Sequence, residues 1–330
     1  MQGVKIFSVA TLSSFLIALF GGALVIPFLK RLKAGQPILE YVEEHKKKSG
    51  TPTMGGLFFI PAAAITFFLF GGAKSRLAVV SLTIGLSFML VGFLDDYLKI
   101  TQKRNEGLKP YQKIIFQSAI ALVAGVFAYK NGITSFFVPF AKRKVDLGWA
   151  TIPLIAFIFI ALTNGVNLTD GIDGLAGGTS LAYLVFTVLL IGVERAAFPY
   201  AFVVADEYEG IILLSVCLSG ALAAFLCFNV TPASVFMGDT GSLSLGGFLG
   251  AISVFSFNSF FIPLIGITFV GSVLSVIIQV AHYKRTKRRV FLMSPFHHHL
   301  QQKGRSEAQI SFYYTLVTCI TGALSVIFYL

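Results

Sequence analysis

The chain has 330 residues, of which 55% are hydrophobic and 12% charged, and its mean hydropathy is +0.81. A soluble surface needs about twice that charge fraction. Disorder, collagen and disulfide scaffolds are excluded by the apolar content, the lack of a three-residue glycine period and only 3 cysteines, which leaves an all-α integral membrane protein. The formal net charge is +11. In a soluble chain that would suggest nucleic acid. Here basic loops that orient helices and meet anionic lipid heads explain it, and no nucleic acid is expected as a partner.

Ten stretches approach the roughly 20 apolar residues that cross a bilayer: Val4–Leu29, Gly55–Phe70, Leu77–Leu94, Ile114–Tyr129, Trp149–Leu162, Leu175–Val193, Ile211–Phe228, Leu243–Phe257, Phe260–His282 and Gln309–Tyr329. The expectation is one polytopic domain over 1–330, a bundle of about ten transmembrane helices. The first stretch is too long for a signal peptide and no small-residue cleavage site follows it. The fifth and eighth are short, either tilted or shielded from lipid by protein. Residues 133–148 are too polar to span and predict a small extracytoplasmic hairpin. Cys217, Cys227 and Cys319 lie in apolar runs and read as small core residues. Loops after odd-numbered spans hold 18 Lys and Arg, those after even-numbered spans 7. This bias places the odd loops in the cytoplasm and both termini outside. On that side the Asn167-Leu-Thr169 and Asn229-Val-Thr231 sequons are chance matches.

Carboxylates beside spans are expensive and usually functional. Asp95, Asp96, Asp170, Asp173 and Asp239 all fall at loops three, five and seven, on one membrane face. That suits a surface reaction better than a path through the bilayer. Asp95 and Asp96 end the third span, with Lys99 one turn on and on the face of Asp95. Adjacent carboxylates repel unless a cation intervenes, and Mg²⁺ takes one or two carboxylates together with phosphate oxygens. A solvated helix end is the plainer alternative. Asn164, Asn167, Asp170 and Asp173 recur every three residues before Gly174, Gly177 and Gly178, whose backbone suits phosphate; a capped turn would need only one of these acids. Asp239, in Phe236-Met-Gly-Asp-Thr-Gly-Ser242, is either a helix cap or a further metal ligand. The last cytoplasmic loop carries Lys284, Arg285, Lys287, Arg288 and Arg289, then His297, His298 and His299. The basic run reads as a lipid-head or phosphate surface beyond its orienting role. The imidazoles suit phosphate or proton transfer near neutral pH. Lys48 and Thr53 precede a glycine-containing span start. Together these residues fit metal-assisted phosphoryl transfer to a lipid, where catalysis is mainly positioning and charge neutralisation.

Thr51-Pro-Thr-Met-Gly-Gly56, Phe93-Leu-Asp-Asp-Tyr-Leu-Lys99, Asn167-Leu-Thr-Asp-Gly-Ile-Asp-Gly-Leu-Ala176, Met237-Gly-Asp-Thr-Gly-Ser242 and Pro295-Phe-His-His-His299 resemble the polyprenyl-phosphate N-acetylhexosamine-1-phosphate transferase superfamily. The first and last narrow the resemblance to its phospho-N-acetylmuramoyl-pentapeptide transferase branch. It runs in order from about residue 45 to 300; Phe296 stands where an aliphatic residue is common. It implies a bacterial inner-membrane enzyme with a cytoplasmic-face active site and periplasmic termini, which agrees with the charge count. The implied reaction moves phospho-MurNAc-pentapeptide from UDP-MurNAc-pentapeptide to undecaprenyl phosphate with Mg²⁺, giving lipid I and UMP. The resemblance also implies a homodimer and inhibition by nucleoside antibiotics.

By motif, Asp95, Asp96 and Asp239 would be the catalytic acids, with Asp239 holding Mg²⁺ helped by Asp95 or Asp96, and His297 would join the catalytic set. Asp95 would take the proton of the acceptor phosphate, or Asp96 would be a covalent nucleophile; one displacement and two both stay open. Asn164, Asn167, Asp170, Asp173 and Phe236 would hold the uridine nucleotide. Lys48, Lys99 and Lys113 would hold phosphates, with Thr53 among the binding residues and His297, His298 and His299 on the sugar-phosphate side. The nearest rival transfers GlcNAc-1-phosphate from its UDP carrier. A transporter predicts polar groups at mid-membrane and often internal repeats, whereas the sequence shows no repeat and few mid-span charges.

Overall fold

The computed structural model describes residues 2–32, 50–102, 106–139, 141, 143–197 and 205–329. Its helices are α1 (Gln2–Arg31), α2 (Gly56–Leu69), α3 (Arg76–Gln102), α4 (Pro110–Lys130), α5 (Thr151–Thr169), α6 (Leu175–Ala197), α7 (Ala205–Asn229), α8 (Gly238–Phe255), α9 (Ile267–Thr286), α10 (Phe296–Gln302) and α11 (Glu307–Tyr329). A helical turn, Ile262–Ile265, leads into α9. Among the described residues eight helices are long and apolar enough to cross a membrane; α2 is a shorter apolar helix. With α8, these match the ten expected stretches.

Several boundaries differ from the apolar runs, and three of them, at polar ends, bear on the site. The third helix continues to Gln102, the fifth to Thr169, and the eighth begins at Gly238 rather than Leu243. Asn164, Asn167 and Asp239 are therefore helical residues, not loop residues. Hydropathy follows lipid-facing and core side chains, whereas these polar turns persist because neighbouring helices satisfy them.

Every residue of α8 is buried, so the short eighth stretch is shielded by protein. Helices α3, α5, α2, α6 and α7 surround it. Small residues (Gly238, Gly241, Ser242, Ser244, Gly246 and Gly247) let those backbones come close. The tightest approach is at Gly92 of α3, where a Cβ would collide with the Asp239 carbonyl. Ser244 Oγ donates across the same seam to the Gly85 carbonyl at 2.8 Å. At its other end α3 is held by Glu207 of α7, which accepts from Ser75 Oγ (2.6 Å), Leu77 N–H (2.8 Å) and Arg76 N–H (3.1 Å). A carboxylate at a helix N-terminus satisfies donors that lack intrahelical partners.

Residues 133–148 form the expected hairpin. Strands β1 (Ser135–Val138) and β2 (Arg143–Asp146) pair antiparallel, Phe136 opposite Val145 and Phe137 opposite Lys144. It joins α4 to α5 at the bundle end away from Asp95 and Asp239. Phe136 and Phe137 are buried, and Phe137 stacks on Tyr329 with ring centroids 4.4 Å apart. Lys144 Nζ lies 3.7 Å from the buried Glu194, which also accepts from Asn258 Nδ2 at 3.2 Å.

Gly92→Ala is expected to cost about 1–3 kcal/mol through overpacking of the α3–α8 seam, read as a lower thermal unfolding midpoint in detergent. Gly271→Ala on α9, where the added methyl meets nothing within 4 Å, should leave the midpoint unchanged. Equal midpoints for the two variants would contradict the seam.

Candidate active site

Four helices deliver their polar ends to one place. Near its C-terminal end α3 brings Asp95, Asp96 and Lys99; α4 brings Lys113 in its first turn; α5 brings Asn167 near its end; α8 brings Asp239 in its first turn. Asp95 and Asp96 are buried, 2% and 0% exposed, and Asp239 is 9% exposed. Lys113 Nζ reaches Asp239 Oδ2 at 2.5 Å and Lys99 Nζ reaches it at 3.1 Å. Lys99 also pairs with Asp95 at 2.6 Å, the i,i+4 contact its spacing predicts, and stands 3.9 Å from Asp96. Asn167 Nδ2 donates to Asp239 Oδ1 at 2.7 Å and to Ser242 Oγ at 2.9 Å. Asp95 Oδ1 accepts the Leu108 N–H at 2.9 Å. Both oxygens of Asp96 face α8: Asp239 N–H donates at 3.2 Å, Thr240 N–H at 2.8 Å and Thr240 Oγ1 at 2.7 Å.

Asp95, Asp96 and Asp239 each offer an oxygen within 4.8 Å of the others. Buried carboxylate oxygens are hard donors suited to Mg²⁺, Mn²⁺ or Ca²⁺ and unsuited to soft metals, so the donor set fits a divalent cation. Three carboxylates against two ammonium groups leave a net negative site that can take further positive charge.

Asp170 follows α5 as its C-cap. Burial, and then the neighbouring Asp239, Asp96 and Asp173, push its carboxyl up to about 8. Asp173 is turned elsewhere, its Oδ2 accepting the Ala233 N–H at 3.0 Å. The adjacent Gly174 N–H donates to Asn229 Oδ1 at 3.0 Å. Phe236 joins the strand-like segment around Thr53: its N–H donates to the Pro52 carbonyl at 2.8 Å and its carbonyl accepts the Gly55 N–H at 2.9 Å. Thr53 is buried, and among the described residues its Oγ1 has no hydrogen-bond partner. Lys48 lies outside the described residues.

The three histidines have three environments. His297 is fully buried against Gly171. Neither of its ring nitrogens is hydrogen bonded among the described residues. Burial, with His298 beside it, pushes its imidazole down to about 3. Its ring is therefore neutral near pH 7, which suits a hydrogen-bond donor and not a proton carrier at that pH. His298 Nδ1 lies 2.7 Å from Gln301 Oε1. His299 Nδ1 accepts the Leu292 N–H at 3.1 Å and its ring packs on Phe291 and Phe296, closing the preceding loop. Asn164 points along the bundle to Gln117 Oε1 at 2.7 Å instead of to Asp239. Gln117, Thr240, Ser242 and Asn229 escaped sequence reasoning. Gln117 is one turn beyond Lys113, and Ser242 three residues beyond Asp239, so helical spacing from those charges would have found both.

The family described as glycosyl transferase family 4 matches residues 77–257. Phospho-N-acetylmuramoyl-pentapeptide-transferase signature 1 matches residues 48–60. The chain is 41% identical over 332 residues to the phospho-N-acetylmuramoyl-pentapeptide-transferase of Clostridium novyi (strain NT), covering 99% of this chain and 98% of that protein. It is 43% identical over 312 residues to the protein of that name from Clostridium perfringens (strain 13 / Type A), covering 94% and 95%. With that of Clostridioides difficile (strain 630) it shares 38% over 330 residues, 99% of each.

In ¹⁵N-histidine-labelled protein, the His297 ring, assigned by a His297→Gln variant, should keep neutral-imidazole shifts down to about pH 5, well below the ordinary histidine midpoint. A midpoint at the ordinary value would contradict the buried environment.

Proposed function

This chain belongs to the phospho-N-acetylmuramoyl-pentapeptide transferases of glycosyl transferase family 4, and we propose that it moves phospho-MurNAc-pentapeptide from its UDP carrier to undecaprenyl phosphate. An oxygen of the acceptor phosphate bonds to the phosphorus that carries the sugar. The bond from that phosphorus to the bridging oxygen breaks, and UMP leaves with the electron pair. The products are lipid I and UMP. The muramoyl signature at residues 48–60 and the names of the relatives favour this reading over the UDP-GlcNAc rival. The observation that carries the chemistry is Asp239 at the start of a fully buried helix, met by Asp95, Lys99, Lys113 and Asn167 from three other helices.

Asp239 and Asp95 hold Mg²⁺ in this reading. A bound divalent cation supplies neutralising charge for the diphosphate and the departing UMP. Lys99 and Lys113, already gathered on Asp239, orient the phosphates. Asp95 takes the acceptor proton. Asn167 fixes the Asp239 carboxylate while Asp170 and Phe236 hold the nucleotide with Lys48 and Thr53, and Asp173, its carboxylate on the Ala233 N–H, supports the turn that carries Asp170. Asn164, braced on Gln117, lines the same side. Neutral His297 donates towards the sugar-phosphate with His298, and His299 holds their loop. The acidic end faces the cytoplasm of a bacterial inner membrane and the termini lie outside, as the basic-residue bias requires. A homodimer and nucleoside antibiotics complete the proposed partners.

Purified protein given undecaprenyl phosphate and Mg²⁺ should release UMP from UDP-MurNAc-pentapeptide and not from UDP-GlcNAc, with EDTA abolishing release. Asp239→Asn should lower kcat about a hundredfold or more. Release from UDP-GlcNAc alone would move the enzyme to the rival branch. Near-normal turnover of Asp239→Asn with unchanged Mg²⁺ dependence would contradict the metal assignment.

A further inference from the structure

Asp96 sits one residue from Asp95, yet its surroundings are different. Its side chain is fully buried, and both oxygens are engaged by the first turn of α8 through Asp239 N–H, Thr240 N–H and Thr240 Oγ1. Helix α8 has no side-chain cap of its own, because its N-cap residue is Met237. A helix that starts inside protein leaves its first N–H donors without intrahelical partners. Asp96 supplies the missing acceptors from a different helix, and its charge complements the positive end of α8. The space for this is made by Gly238, whose φ of +70° is a conformation glycine tolerates. A Cβ there would meet Asp96 Oδ2 at 2.5 Å and Thr53 Oγ1 at 2.6 Å. The nearest ammonium, Lys99, stands 3.9 Å away, whereas it reaches Asp95 and Asp239 at 2.6 and 3.1 Å.

We infer that Asp96 is a positioning residue: it caps α8 across the bundle, fixes the backbone of Asp239 and so sets that carboxylate for the metal, and it does not form a covalent bond to the substrate. Nucleophilic attack would require an Asp96 oxygen to give up the α8 donors it accepts. Thr240 is part of the same device, since its hydroxyl and its N–H meet one Asp96 oxygen. This inference rests on the proposed metal at Asp239.

The test uses Mn²⁺ binding to the full-length protein in detergent, followed by electron paramagnetic resonance without substrate. Asp96→Asn should weaken Mn²⁺ binding about tenfold or more, the usual effect of removing a group that orients a metal ligand. Thr240→Val should weaken it about threefold, as fits the loss of one hydrogen bond of three. Thr240→Ser, which keeps the hydroxyl, should bind as the unmodified chain does. The double variant Asp96→Asn/Thr240→Val should be no weaker than Asp96→Asn alone, because Thr240 acts through Asp96. Acid-quenched turnover should yield no muramoyl-phosphoryl adduct on the protein by mass spectrometry. Unmodified Mn²⁺ affinity in Thr240→Val, or an adduct on Asp96, would overturn the inference; the threonine variants decide it even if Asp96→Asn does not fold. If the unmodified chain bound no Mn²⁺, the metal assignment itself would fall, and the inference with it.

Discussion

A helix can begin in the interior of a membrane protein only if something other than water accepts its first N–H groups. Helix α8 meets this constraint with a carboxylate borrowed from α3, while Gly92 lets the two backbones close to contact. Because α8 is buried along its whole length, the positions of α3, α5 and their neighbours follow from how they pack on it. Glu207 solves the same problem for the opposite end of α3. The bundle is thus pinned at both ends of α3 by carboxylates reaching across helices.

The same constraint concentrates charge. Capping α8 with Asp96 brings a second carboxylate, Asp95, and a third, Asp239, into a small buried volume. Lys99 and Lys113 offset part of that charge. The cluster could hold a metal ion, and carboxylate oxygens suit a divalent cation. The groups that pack α8 against α3 and the groups of the candidate site are therefore neighbours.

Much of this was legible in the sequence. Ten apolar stretches marked ten helices because the bilayer demands apolar side chains over a fixed length. The Asp95–Lys99 spacing foretold an ion pair that the structure contains. The hairpin at 133–148 followed from its polarity. Helix ends were less legible: Asn164, Asn167 and Asp239 looked like loop residues because hydropathy cannot distinguish a polar loop from a polar helical turn paired with another helix. The different surroundings of Asp95 and Asp96 were hidden for a related reason. Adjacent residues of one type differ only in which neighbour they face, and that neighbour, Thr240, is 144 residues away. The histidine run is similar, since only packing decides that His297 is buried and His299 braces a loop.

The most direct test of the account is to locate the metal itself, by anomalous diffraction from crystals grown with Mn²⁺ and the uridine diphosphate substrate. The account predicts one Mn²⁺ peak at bonding distance from an Asp239 carboxylate oxygen, with Lys113 displaced onto a phosphate. A peak bound instead by Asp170 and Asp173, with Asp239 still held by both lysines, would contradict it.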